Sequence, residues 1–138
     1  MTVTAIPYRT KGLDHVVIRA KNIETMLRFY RNVLGLRVAK HNKLQGLWHL
    51  TAGSSMIDLV DMNGTLGQAG GPPPGNGKNV DHFALKIEPF DAEVLRAYFA
   101  EHGVETDPVK TRFGADGDGP SIYLRDPEGN GLELKGAE

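Results

Sequence analysis

The chain contains an internal repeat, and this feature restricts its fold more than any other. Residues 12–19 read GLDHVVIR and residues 79–86 read NVDHFALK, so an Asp-His pair opens a mostly apolar run in both segments. A Leu-Arg-x-Tyr motif then begins at residue 27 and again at residue 95, an offset of 68 residues. Self-similarity of this kind indicates two copies of one supersecondary unit, neither of which buries its apolar face alone.

Each copy has the pattern of a strand, a helix and three further strands. Asn22 and Asp91 are suited to cap the two helices, and Gly35 stands where a helix commonly ends in a left-handed residue. The fold class is therefore predicted to be α+β. The predicted strands are 13–19, 36–41, 46–52, 55–61, 80–87, 104–111, 120–125 and 131–135, and the predicted helices are 23–34 and 92–102.

A segment rich in glycine and proline separates the two copies. Residues 63–78 contain six glycines and three prolines, a composition that resists both helix and strand. We interpret the chain as one domain built of module 12–62 and module 79–136, joined by this linker or mobile flap. A second glycine-rich run, residues 113–120, is either a flexible loop over an opening or an ordinary hairpin.

Strand alternation places one histidine of each copy at an equivalent position. Within 13–19 and 80–87, alternation places His15 and His82 on the face that suits a solvated cavity. The opposite face of the second strand, to which alternation assigns Asp81, is mostly apolar and suits packing under a helix. The last strands of the copies likewise set Asp58 opposite Glu133. A pseudo-two-fold axis would bring these four side chains around one point.

This set of side chains points to a metal with nitrogen and oxygen ligands. The chain has no cysteine, which excludes thiolate sites and disulfides. Two imidazoles with one or two carboxylates suit one divalent ion, Zn, Fe, Ni, Co or Mn, rather than calcium. One such histidine beside an aspartate is usually only hydrogen-bonded, but two in register, plus a carboxylate on the strand where the repeat predicts it, favour a metal site.

Other polar residues give weaker signals. Three histidines lack a partner pattern: His41, His49 and His102. Several side chains lie near the strand face that carries His15 and His82, and they are as suited to binding an anionic substrate group as to being solvated charges at strand ends. Trp48 suits either this face or the core. The side chains near this face are Arg19, Lys86, Tyr123, Arg125 and Lys135.

Charge and hydropathy exclude several classes of partner. The net charge is −1, from 16 basic and 17 acidic residues, so there is no basic field to attract nucleic acid or an anionic membrane. The sequence shows neither a secretory signal pattern nor an apolar run long enough for a membrane span. We expect a cytoplasmic protein that acts on a small molecule.

Four sequence fragments resemble the glyoxalase, bleomycin-resistance and extradiol-dioxygenase superfamily, also called the vicinal oxygen chelate superfamily. They are LDHVVI, FYRNVLGL, VDHFAL and YLRDPEGNGLEL, and the resemblance extends from residue 12 to residue 136. It implies tandem βαβββ modules that form a cup-shaped mixed sheet, with a metal held by His15, His82 and Glu133. Glyoxalase I has a further ligand, usually Glu, where this chain has the shorter Asp58.

The resemblance also implies an activity. A glyoxalase I-like enzyme (lactoylglutathione lyase type) would bind a small α-oxygenated carbonyl compound or thiohemiacetal through two adjacent oxygens, with Glu133, and Asp58 if it coordinates, moving the proton. The alternatives are an Fe(II) ring-cleaving dioxygenase, a fosfomycin-type thiol transferase, and a metal-free bleomycin-resistance-like binding protein. The family implies a homodimer, and the sequence leaves open whether the site forms within one chain or between two.

Overall fold

The computed structural model describes residues 5–7, 9–71 and 77–137. Its strands are β1 His15–Ala20, β2 Arg37–Asn42, β3 Leu47–Ala52, β4 Ser55–Asp61, β5 Phe83–Lys86, β6 Lys110–Gly114, β7 Gly117–Arg125 and β8 Gly131–Lys135. Its helices are α1 Ile23–Leu27, which continues as a π-helical segment Arg28–Val33, then α2 Thr65–Ala69 and α3 Ala92–Glu101. None of the helices in the described ranges is long and apolar enough to cross a membrane.

The two copies of the repeat form separate mixed sheets. The strand orders are β1-β4-β3-β2 and β5-β8-β7-β6, so each sheet has four strands in the same arrangement. In each sheet the first strand pairs in parallel with the last, and the remaining pairings are antiparallel. The predicted α+β class is confirmed.

Both long helices begin at the predicted caps. The Asn22 side chain accepts a hydrogen bond from the Thr25 amide, and the Asp91 side chain accepts one from the Val94 amide. These bonds satisfy amide groups that have no partner within the first helical turn. The first helix then widens, since the Leu34 amide donates to the Phe29 carbonyl at 2.9 Å, five residues back.

The helix-facing sides of both sheets share one hydrophobic core. Its buried side chains come from β1, β3 and β4, from α1 and its π-helical continuation, and from α3, β7 and β8; they include Ile18, Leu59, Tyr30, Phe99, Ile122 and Leu132. Because side chains alternate along a strand, the faces that carry His15 and Glu133 are turned away from this core. We call these the outer faces of the two sheets.

Polar contacts also join the two modules. The hydroxyl of buried Tyr30 donates to Asp126 at 2.8 Å. The Glu128 carboxylate accepts from the backbone amides of Lys21 and Asn22 at 2.8 and 2.7 Å. The start of the first helix is thereby fixed against the turn between β7 and β8.

Three sequence predictions need correction in the second module and the linker. The strand predicted at 104–111 begins only at Lys110, because Pro108 has no amide to donate to a ladder. Residues 113–120 form a tight hairpin in which Gly114 pairs with Gly117, so the simpler alternative is right. The linker, predicted to resist helix, contains α2, while residues 72–76 of the predicted flap lie outside the described residues.

Candidate functional site

The outer face of the first sheet holds His15 and Asp58. His15 opens β1, and its Nε2 lies 4.0 Å from Asp58 Oδ2. Its Nδ1 lies 2.7 Å from the exposed carboxylate of Asp14. Asp58 is buried in β4, and one of its oxygens, Oδ1, has no hydrogen-bond partner within the described part of the chain. A buried carboxylate oxygen in this state suits a further donor or a cation.

His49 joins this pair, although it was predicted to lack a partner pattern. Its Nδ1 lies 3.0 Å from Asp58 Oδ2 because β3 and β4 pair His49 directly with Asp58. The signal was present in the sequence: a tight turn at Gly53 sets the hairpin register, and that register brings residues 49 and 58 together.

The outer face of the second sheet holds the corresponding pair. His82 Nε2 lies 3.4 Å from Glu133 Oε1, and His82 Nδ1 lies 2.7 Å from Asp81. His82 stands just before β5 rather than within the predicted strand 80–87. Gly131 makes this approach feasible, because a Cβ there would lie 3.2 Å from His82 Cβ and 3.1 Å from the Asp81 carbonyl.

The two pairs have the same internal design. In each, the preceding aspartate holds Nδ1 of the histidine and leaves Nε2 directed toward the carboxylate from the last strand. Carboxylates that anchor the second nitrogen of a histidine in this way are common around metal-binding imidazoles. Alternation had placed Asp81 on the helix-facing side, and this prediction is wrong: Asp81 and Asp14 are exposed and turn back to their histidines.

Three further side chains surround Glu133. Buried Ser121 donates to Glu133 Oε2 at 2.8 Å, and Arg112 donates to Ser121 Oγ at 3.0 Å. Tyr123 pairs with Glu133 across β7 and β8, and its hydroxyl lies 3.3 Å from His82 Nε2. Tyr123 was a sequence candidate, but Ser121 and Arg112 were not. The buried carboxylate therefore lies among hydrogen-bond donors.

The electrostatics follow from these contacts. The hydrogen bond that His15 Nδ1 donates to Asp14, reinforced by the charge of Asp58, raises the pKa of His15 above its usual 6.5. The hydrogen bond with His82 lowers the pKa of Asp81. Desolvation, with the nearby charge of Glu133, raises the pKa of Tyr123, which therefore remains a neutral donor at physiological pH.

The four predicted ligands form two pairs on different sheets. Over the described ranges, no three histidine, aspartate or glutamate side chains of one chain form a group able to hold a metal. His15 lies with Asp58 and His82 with Glu133. The donor set fits a divalent ion, since each pair places an imidazole Nε2 beside a buried carboxylate.

The remaining candidates have other surroundings. The rings of His41 and Trp48 stack with 3.5 Å between centroids, and Trp48 packs against the core. His102 follows the end of α3, in contact with Tyr98. Arg19 donates to the carbonyls of Gly67 and Gly71 and so ties the linker to β1.

Comparison with protein families gives a match over most of the chain. A family model described as Glyoxalase/Bleomycin resistance protein/Dioxygenase superfamily matches residues 12–134. The chain is 32% identical to Virulence protein STM3117 of Salmonella typhimurium over 123 residues, 88% of this chain and 81% of that protein. It is 33% identical to the Glyoxalase domain-containing protein RDO1 of Mycosarcoma maydis over 126 residues, 90% of this chain and 67% of that protein.

Solved structures share the fold. A glyoxalase family protein from Enterococcus faecalis superposes with a TM-score of 0.68 and 26% identity, covering 91% of this chain and 97% of that one. Lactoylglutathione lyase from Agrobacterium tumefaciens superposes with a TM-score of 0.65 and 21% identity, covering 94% and 96%. At 21% identity the second likeness shows the fold alone.

Proposed function

We propose, from the premise that the chain belongs to the Glyoxalase/Bleomycin resistance protein/Dioxygenase superfamily, that it is a divalent-metal enzyme of glyoxalase I-like type. Its metal, one of Zn, Ni, Fe, Co or Mn, would be held by His15, His82 and Glu133, with Asp58 as a fourth ligand or a close neighbour. Its substrate would be a small α-oxygenated carbonyl compound or a thiohemiacetal.

One observation carries this proposal: both copies of the repeat contain the same histidine–carboxylate pair. In each pair Nδ1 is fixed by the preceding aspartate and Nε2 is directed at a buried carboxylate. A single histidine of this kind is well explained by a structural role, as a hydrogen-bonded side chain. Two at equivalent positions, beside carboxylates of low exposure, are better explained by a shared ligand.

The position of the pairs supports a site between two subunits. The outer faces that bear them are turned away from the shared core. A second copy related by a two-fold axis would place the first sheet of one chain against the second sheet of the other. His15 and Asp58 of each subunit would then meet His82 and Glu133 of its partner, which makes the protein a homodimer with two sites.

The residues of the chain have separable roles in this chemistry. A divalent metal, when bound, supplies Lewis-acid polarisation of two adjacent substrate oxygens. Glu133 is the residue suited to move the proton, because Ser121 holds Oε2 and leaves Oε1 on the side of His82. Tyr123 stays protonated and can donate to a substrate oxygen.

The first test is metal content followed by turnover. Purified protein, stripped with a chelator and reloaded, is expected to bind one divalent ion per chain and to isomerise a hemithioacetal. Glu133→Gln is expected to lower kcat/KM by at least about a hundredfold, since it removes a general base. Glu105→Gln, an exposed carboxylate on the same module, is the matched control and should retain activity. A chain that binds no metal and instead traps a drug would contradict the proposal.

A ring-cleaving dioxygenase is the second candidate, and His49 is the observation that favours it. Its imidazole lies 3.0 Å from Asp58 and a quarter of its side chain is exposed, so it is placed to act as an additional acid or base. Oxygen uptake with a catechol that depends on Fe(II) and is lost in His49→Ala would establish this function in place of isomerisation.

A further inference from the structure

Basic side chains are concentrated on the outer face of the second sheet. Strand register places Lys86, Lys110, Arg112 and Lys135 on the same face as Glu133. The chain as a whole has a net charge of −1, so this is a local excess rather than a property of the entire surface. Lys86 is compensated by Asp116 at 2.9 Å. Lys110 is exposed, as is Arg125, which pairs with Gly131 on the same face, so Arg112 and Lys135 remain to be explained.

Lys135 is a buried cation. It is 8% exposed, and its Nζ donates to the carbonyls of Gly117 at 2.9 Å and Gly136 at 3.5 Å. Within the described ranges the ion pairs do not include it. Two glycines make its space, since a Cβ at Gly114 would lie 2.9 Å from Lys135 Cε and one at Gly119 would lie 3.1 Å from Nζ. A buried ammonium without an acidic partner costs folding free energy, and it raises the positive potential around it.

Arg112 lies beside this charge and is held rigidly. Its Nη1 donates to the carbonyl and hydroxyl oxygens of Ser121 at 3.2 and 3.0 Å. The guanidinium carbon lies 4.3 Å from the centroid of the Tyr123 ring. A guanidinium has five donors, and the Nε and Nη2 donors of Arg112 have no partner in the part of the chain that is described. A half-buried fork fixed on two sides is preorganised for a carboxylate or phosphate.

Ser121 connects this fork to the proposed metal site. Its hydroxyl accepts from Arg112 and donates to Glu133 Oε2 at 2.8 Å. Ser121 also pairs with Lys135 across the sheet, and Lys135 lies two residues from Glu133 along β8. Two residues along a strand span about 6.8 Å. The free edge of Arg112 is therefore close enough to Glu133 for one small molecule to contact both.

We propose that this face contains an oxyanion subsite, in which Arg112 contacts a carboxylate or phosphate-type group of the substrate and buried Lys135 provides positive charge behind it. The inference deepens the proposed function, and rests on it in assigning the anion to the substrate. The subsite would define the substrate class as a carbonyl compound that also carries an oxyanion. This oxyanion would lie about one side-chain length from the two substrate oxygens that bind the metal.

The test uses metal-free full-length protein, so that its outcome is independent of the metal. NMR titrations with inorganic phosphate and, separately, with acetate are expected to show saturable binding. Arg112→Gln is expected to weaken that binding about tenfold or more, because a charged hydrogen-bonding partner is lost. Lys135→Met should weaken it several-fold, and Lys43→Gln, which removes an exposed charge in the first module, should leave it unchanged.

The outcomes separate the possibilities. Tighter binding of phosphate than of acetate identifies a phosphate- or phosphonate-bearing substrate, and the reverse identifies a carboxylate. If Lys135→Met fails to fold, Arg112→Gln still decides, since its side chain is half-exposed. Unchanged affinity in Arg112→Gln, or no saturable binding by the wild type, overturns the subsite. Anion binding in a chain that never takes up metal would retain the subsite and overturn the metal proposal.

Discussion

Two carboxylates determine the orientation of His15, and two others that of His82. The preceding aspartate fixes one ring nitrogen, and the carboxylate of the last strand faces the other. In the first pair this arrangement raises the pKa of His15, and the hydrogen bond that its Nδ1 donates to Asp14 is the largest cause. The same hydrogen bond selects the tautomer whose Nε2 is free for a ligand.

Asp14→Asn is expected to lower the pKa of His15 toward 6.5 in metal-free protein, which NMR titration of the ring would measure. A pKa raised by folding stabilises the protein below the unfolded value, and this contribution is lost as the pH rises through the folded pKa. The wild type should therefore exceed the variant in stability below about pH 6.5, and the difference should vanish at higher pH. Asp107→Asn, an exposed aspartate outside the pair, serves as control. An unchanged His15 titration would refute this account of its environment.

The sequence was sufficient to identify His15, Asp58, His82 and Glu133 as candidates, because they recur at equivalent positions of the repeat. It was not sufficient for Ser121 and Arg112, whose importance depends on strand register. Ser121 contacts Glu133 only because β7 and β8 place residues 121 and 135 side by side, and Arg112 reaches Ser121 from a neighbouring strand. The face of Asp81 was missed because strand alternation does not extend past the end of a strand.

At the scale of the elements, the first helix and its π-helical continuation carry several of the hydrogen bonds between the modules. Its π-helical continuation carries Phe29 and Tyr30, and both are buried although they are adjacent in sequence. Periodicity predicted a regular helix over 23–34 and had no means of indicating the widened turn. Strand bounds were predicted within a few residues, except where Pro108 delays β6 and where β5 begins after His82.

Tyr30→Phe is expected to lower the free energy of unfolding by about 1–2 kcal/mol, because a buried hydrogen bond to Asp126 is lost while the ring keeps its packing. Chemical denaturation would measure it. Asp126 retains donors from the Glu128 and Asn130 amides and from the Asn130 side chain, which limits the effect. Tyr98→Phe is the matched control: its hydroxyl bonds the Val33 carbonyl, but the side chain is exposed enough for water to replace it. An equal loss of unfolding free energy in the two variants would show that the buried hydrogen bond of Tyr30 stabilises the protein no more than the exposed one of Tyr98.

At the scale of the whole molecule, the shared core determines where the candidate site can form. Both sheets contribute their helix-facing sides to one core, so one chain presents half of the candidate ligands on each of two outer faces. The repeat predicted two equivalent modules. It contains no information about which module faces which, because the same β-α-β-β-β unit can close against a partner in its own chain or in another.

Mixed dimers would decide between the two arrangements. Coexpression of His15→Ala with Glu133→Gln is expected to restore about one quarter of wild-type activity, since half of the dimers are hybrid and each hybrid has one intact site. His82→Ala with Glu133→Gln should restore none, because both changes affect the same half. Absence of complementation in the first mixture, with hybrid dimers present, would place the complete site within one chain.

The two halves of the repeat differ at the carboxylate and also at the residue paired with it. The residue paired across the hairpin with Asp58 is His49, whereas the residue paired with Glu133 is Tyr123. A cavity assembled from both halves would therefore have an imidazole wall and a phenol wall, despite its approximate two-fold symmetry. Under the proposed function, a planar carbonyl compound bound between these unlike walls would present one prochiral side to Glu133, and proton delivery would produce a single enantiomer.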